Sequence, residues 1–106
     1  MKKNNIDDMT RGWFVGSFIP TAFDTDKCEV AYKEYKAGDE EEAHFHKIAT
    51  EITVIIEGEV LMNESTYKKG DVIIVEPHEV VKFSAITDAA NIVVKVPGAK
   101  NDKYTT

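Results

Sequence analysis

From Cys28 to Gly98 no stretch of the chain sustains an apolar period of about 3.6 residues, which argues against any fold built on amphipathic helices. Short β-branched or alternating runs take its place, each cut off by a turn signal. In CEVAYKEYKAG, Cys28, Val30 and Tyr32 share one face and Glu29, Ala31 and Lys33 the other. TEITVIIEG is a β-branched run ending at Gly58, and EVLMNESTYKKGD reads as a hairpin with NES between Val60–Met62 and Thr66–Tyr67. DVIIVEP is stopped by Pro77. VVKFSAI puts Val81, Phe83 and Ala85 on one face, and ANIVVKVPG does the same with Ile92, Val94 and Val96. Strands this short, with turns every ~8–12 residues, predict an all-β sandwich or barrel.

At 106 residues the chain is predicted to be a single domain over residues 1–106. Its barrel core is expected over about residues 28–97, with mobile termini: roughly the first five residues and the tail AKNDKYTT. Thirteen basic residues against nineteen acidic ones give a net charge of −6 with no basic patch, which argues against nucleic acid and anionic membrane surfaces as partners. Cys28 is the single cysteine, so no intrachain disulfide forms, and it reads as a small buried hydrophobe. No apolar run reaches the ~18 residues of a membrane span, and MKKNNIDDMT lacks a signal peptide's apolar stretch. The expected location is cytoplasmic.

The stretch AHFHKIATEITVIIEGEV places polar groups where a strand would bury apolar ones. Side chains at i and i+2 of a strand point the same way, so His44 and His46 share a face on which their imidazoles can meet one ion. Lys47 to Thr50 is long enough for a turn, after which Glu51, Thr53 and Ile55 share one face and Ile52, Val54 and Ile56 the other. If Glu51 faces the histidines, the three form a 2-His-1-carboxylate set suited to Fe(II), Mn(II), Ni(II) or Zn(II), with open coordination positions. Spacing alone leaves a second reading open, in which both histidines are surface or hydrogen-bonded core residues.

The sequence resembles the cupin superfamily. Gly38, five residues, His44, one residue, His46, four residues, Glu51, six residues and Gly58 are similar to the complete first cupin motif. GDVIIVEPHEVVKF is similar to the second, with departures: Gly70 and Asp71 match, Glu76 stands at the proline position beside Pro77, and His78 stands at the turn glycine. Val81 replaces the fourth metal ligand. The resemblance spans roughly residues 28–97 and implies a double-stranded β-helix, the cupin jelly-roll barrel, holding a divalent metal at one end. It makes His44, His46 and Glu51 the metal ligands. It does not select a reaction, because this fold hosts oxygenases, isomerases, epimerases, lyases and non-catalytic binding domains.

Other residues receive plainer readings. His78 is a solvated turn residue at the rim, Phe45 packs in the core, and Glu40–Glu42 form a solvated loop. Tyr32 and Tyr35 fill the core or line the barrel mouth, and Trp13 and Phe14 form a strand packing outside the barrel, the favoured reading, or a lid. Arg11 is the only arginine, so no bidentate clamp is expected inside, and an anionic ligand would bind through the metal or a lysine. Two functions stand: a divalent-metal-dependent enzyme acting on a small molecule, or a non-catalytic metal- or ligand-binding domain. In the strand after Glu51 both faces are apolar and both need burial, which predicts a homodimer.

Overall fold

The computed structural model describes all of residues 1–106 and contains ten strands and one 3-10 turn, Ile6–Asp8. The strands are β1 (Trp13–Val15), β2 (Glu29–Tyr35), β3 (Glu40–Phe45), β4 (Thr50–Glu57), β5 (Glu59–Met62), β6 (Ser65–Lys68), β7 (Val72–Val75), β8 (Val81–Ala85), β9 (Ala89–Val96) and β10 (Tyr104–Thr105). They form two antiparallel sheets, ordered β1-β2-β9-β4-β7 and β10-β3-β8-β5-β6, and except for β1–β2 and β5–β6 consecutive strands lie in opposite sheets. This is the double-stranded β-helix that the motif spacing implies. No helix is long and apolar enough to cross a membrane.

Register divides the interior into two ends. Directly paired residues project to the same side of a sheet. At one end Ile55, Val60, Met62, Phe83, Ala85 and Ala89 pack into the main apolar cluster, with Tyr35 and Tyr67 against it. At the other end the inward row across the first sheet runs Glu29, Lys95, Glu51, Val75. One end is therefore an apolar core, and Met62, Val81 and Phe83 of that core also wall the polar cavity at the other.

The turns that join the sheets depend on backbone that few side chains tolerate. Gly58, between β4 and β5, sits at φ +81°, and a Cβ there would collide with the carbonyl oxygen of Asp88. His78, standing at the motif's turn glycine, adopts φ +73°, the left-handed conformation that position requires. It is exposed, as expected of a rim histidine.

Four sequence expectations are corrected. Glu40–Phe45 is a strand and not a solvated loop. A register shift between Glu41 and His44 lets both face the cavity, although strict alternation would have turned Glu41 away. The N-terminal segment does not pack outside the barrel: Trp13 pairs with the fully buried Ala31, and its ring turns into the cavity. Phe45 stacks on Tyr104, with ring centroids 5.4 Å apart, rather than entering the main core cluster. The tail is fastened, since Tyr104 and Thr105 pair with Phe45 and His44.

The apolar faces of β4 and β9 both point outward. Val30, Val94, Ile52 and Ile74 form one row across four strands, and Tyr32, Ile92, Val54 and Val72 form the next. At its β7 edge this face is open, with Ile74 56% and Val72 61% exposed.

Candidate metal centre

His44 is the penultimate residue of β3, and His46 follows directly after that strand. Glu51 enters near the start of β4 in the opposing sheet. One ligand atom from each of the three lies within 4.8 Å of the others, a group able to hold a metal ion. Both histidines are buried and their rings meet edge-on, with centroids 5.4 Å apart.

Hydrogen bonding sets which nitrogen each ring offers. His46 Nδ1 lies 2.7 Å from the carbonyl oxygen of Asp102, and His44 Nδ1 lies 3.0 Å from that of Glu42. A carbonyl only accepts, so each Nδ1 carries the proton and each Nε2 presents its lone pair. His46 Nε2 is buried with no hydrogen-bond partner, 3.7 Å from Glu51 Oε1. An enclosed, unpartnered nitrogen beside a carboxylate costs free energy unless something occupies the space between them. Two imidazole nitrogens and a carboxylate oxygen suit a divalent ion, so the residues present fit the metal that the motif implies.

The electrostatics agree. Burial, then the nearby Lys95, lowers the pKa of His46 below the ordinary histidine value and keeps its ring neutral. Burial pushes the Glu51 carboxyl up, opposed by Lys95. Val81 stands directly across from His44, buried, in the cavity wall, at the position the motif resemblance assigns to a fourth ligand.

Asp102 escaped the sequence reading. Its carboxylate accepts the backbone N–H groups of Lys47, Ile48 and Ala49 at 2.9–3.2 Å, pinning the loop between the second histidine and Glu51. Burial alone would raise its pKa, but these bonds outweigh that and pull it below the ordinary aspartate value. No local pattern marks such a residue, because its partners lie more than fifty positions away. The backbone N–H of His78 fastens the same region by donating to the His46 carbonyl at 2.6 Å.

The site opens into a cavity of about 490 Å³. Tyr35 lines it and Tyr32 does not. The Tyr35 hydroxyl donates to Glu41 Oε1 at 3.1 Å, and burial together with the Glu41 charge holds the phenol far above its ordinary pKa, hence protonated. Lys33 and Lys95 also face inward, each with its ammonium near the Trp13 ring, at 5.1 and 4.8 Å from the centroid. The sequence reading had not singled out these two, and Arg11, from which no clamp inside was expected, also lines the cavity with Lys100 and Lys103. Alternate polar residues within otherwise apolar strands were the available signal.

No family model matches the sequence, and no curated protein matches it. Solved structures do. An uncharacterized conserved protein with a double-stranded beta-helix domain from Klebsiella pneumoniae superposes with a TM-score of 0.71 at 20% identity, covering 77% of this chain and 72% of that one. A cupin protein from Bacteroides fragilis gives 0.61 at 22% identity, covering 76% and 75%. The DMSP lyase DddQ from Ruegeria pomeroyi gives 0.74 at 18% identity over 89% of this chain, which spans 49% of that protein. The chain thus has the cupin fold, a double-stranded β-helix, and its solved neighbours include enzymes as well as proteins with no stated activity.

Proposed function

We propose that this protein is a small metal-dependent enzyme in which His44, His46 and Glu51 hold one divalent ion, Fe, Mn, Ni or Zn, facing a small-molecule cavity. The observation that carries the reading is the buried, unpartnered His46 Nε2 beside Glu51, with both histidine Nδ1 atoms committed to carbonyls. A bound divalent ion supplies Lewis acidity to an oxygen of the small molecule. The chain's own groups do the rest. The Tyr35 hydroxyl, held by Glu41 and kept protonated, binds and orients the small molecule, with its oxygen free to accept a hydrogen bond. Trp13, Phe83 and Val93 wall the cavity against bulk water. Oxygenase, isomerase and lyase chemistry all fit this arrangement.

One observation favours the second reading, a non-catalytic metal- or ligand-binding domain. Val81 offers no fourth ligand, so the set is weaker than a four-ligand one. The outward rows containing Ile52 and Val54 support a further part of the proposal, a homodimer in which this face packs against its copy.

The test is elemental analysis of protein purified without a metal-affinity tag. About one divalent ion per chain is expected, falling sharply in His44→Ala while the fold is kept. Equal metal content in wild type and variant overturns the assignment.

A further inference from the structure

The overall charge of the chain is −6, yet the cavity lining runs the other way, with five basic side chains and four acidic ones. Three of those acids are already engaged. Glu51 belongs to the ligand set, Glu41 accepts the Tyr35 hydroxyl, and Asp102 is occupied by three backbone N–H groups. Lys33 and Lys95 feel nearby carboxylates, Glu41 for the first and Glu51 and Glu29 for the second, but are bonded to none. No lysine or arginine of the molecule lies within ion-pair distance of a carboxylate, so neither Lys33 nor Lys95 has a carboxylate oxygen at bonding distance.

Both ammoniums instead share one indole face-partner, Trp13. A ring quadrupole compensates a cation only partly. Two like charges brought to one ring inside a cavity repel each other, and burial raises the cost of both. Accordingly, burial before any other cause holds both below the ordinary lysine value. Next to them stands a second unmet group. Asn91, cross-strand neighbour of Lys33, is 2% exposed and lines the cavity, and its Oδ1 is enclosed without a partner. An amide can present either its NH2 or its oxygen to a ligand. Lys95 in turn is the cross-strand neighbour of Glu51, one strand from the ligand set.

We propose that the cavity recognises small molecules through an anionic group, a carboxylate or a phosphate, seated between Lys33 and Lys95 beside Trp13, with the Asn91 side-chain amide as a neutral hydrogen-bonding partner. This rests on the proposed metal site only in that the ligand's other end faces His44, His46 and Glu51. It assigns the substrate class that the fold alone leaves open.

Trp13 is the single tryptophan, so its fluorescence reports the subsite directly. The probes are succinate against succinamide and glycerol 3-phosphate against glycerol, titrated into metal-loaded and chelator-stripped protein. At least one of the two anions is expected to give a saturable change that its neutral analogue does not, and the tighter anion assigns carboxylate or phosphate. Lys33→Met and Lys95→Met should each weaken it by about tenfold or more, the scale of one charge-assisted hydrogen bond. Lys69→Met, at an exposed lysine outside the cavity, should leave it unchanged. Binding should persist in stripped protein, since the lysines are not metal ligands. Metal loss with anion binding retained overturns the metal site alone. Metal bound without a saturable anion response, or an anion response indifferent to both lysine variants, overturns this proposal.

Discussion

His44 and Val81 face each other across the β3–β8 pair, both buried in the cavity wall. An imidazole at position 81 would enter the same space as the three proposed ligands. Val81→His is expected to tighten metal binding by adding a neutral nitrogen donor in place of a labile water. Any metal-dependent activity should fall as one open position closes. Competition with a chelator measures the first effect, and unchanged affinity in a folded variant means that residue 81 does not reach the ion.

Glu51→Gln separates the cost of the site from its use. The folded-state pKa of Glu51 is raised, so between the unfolded and folded values the folded chain holds the extra proton. Metal-free wild type therefore loses stability as pH rises through that window, and regains it as pH falls below the unfolded value. The glutamine variant pays no such ionisation cost. Without metal it is expected to be the more stable of the two at neutral pH, with the difference closing in acid. With metal the order reverses. Denaturant titrations at several pH values check this, and a difference independent of pH refutes it.

Asp102→Ala should destabilise the fold by about 2–3 kcal/mol, since three backbone N–H groups lose a charged acceptor. Metal affinity should drop with it, although no ligand is touched, because the pinned loop carries His46 into Glu51. Urea unfolding and metal titration on one preparation test the pair. Lost stability with intact affinity means the loop is not what aligns the ligands.

The outward apolar rows predict assembly. Light scattering at tens of micromolar should give twice the chain mass, and Ile74→Lys, at an exposed position on that face, should give a monomer. A monomeric wild type excludes the dimer.

The clustering of His44, His46 and Glu51 was legible in the sequence because side chains two apart on extended chain face the same way. Two histidines at i and i+2 must face together, and Glu51 shares a face with the buried Thr53 and Ile55. Periodicity failed where the interior is polar. In β9 the apolar Ile92, Val94 and Val96 point outward, while Asn91, Val93 and Lys95 face in, so apolar content alone cannot say which side is the cavity. It failed again at Glu41, where a bulge reverses the alternation. Asp102 left no trace, because a side chain capping a distant loop has no local pattern to betray it.

The bond from His46 to the Asp102 carbonyl closes over 56 residues of chain. A contact that spans so much sequence carries a large loop-closure entropy, which pairing of the intervening strands reduces. The two histidines and Glu51 lie close together in sequence, yet the orientation of one ring waits for a segment synthesised long after it. If the proposed ion binds, its capture is an expected late event in folding, and its release a sign that the C-terminal segment has come unfastened.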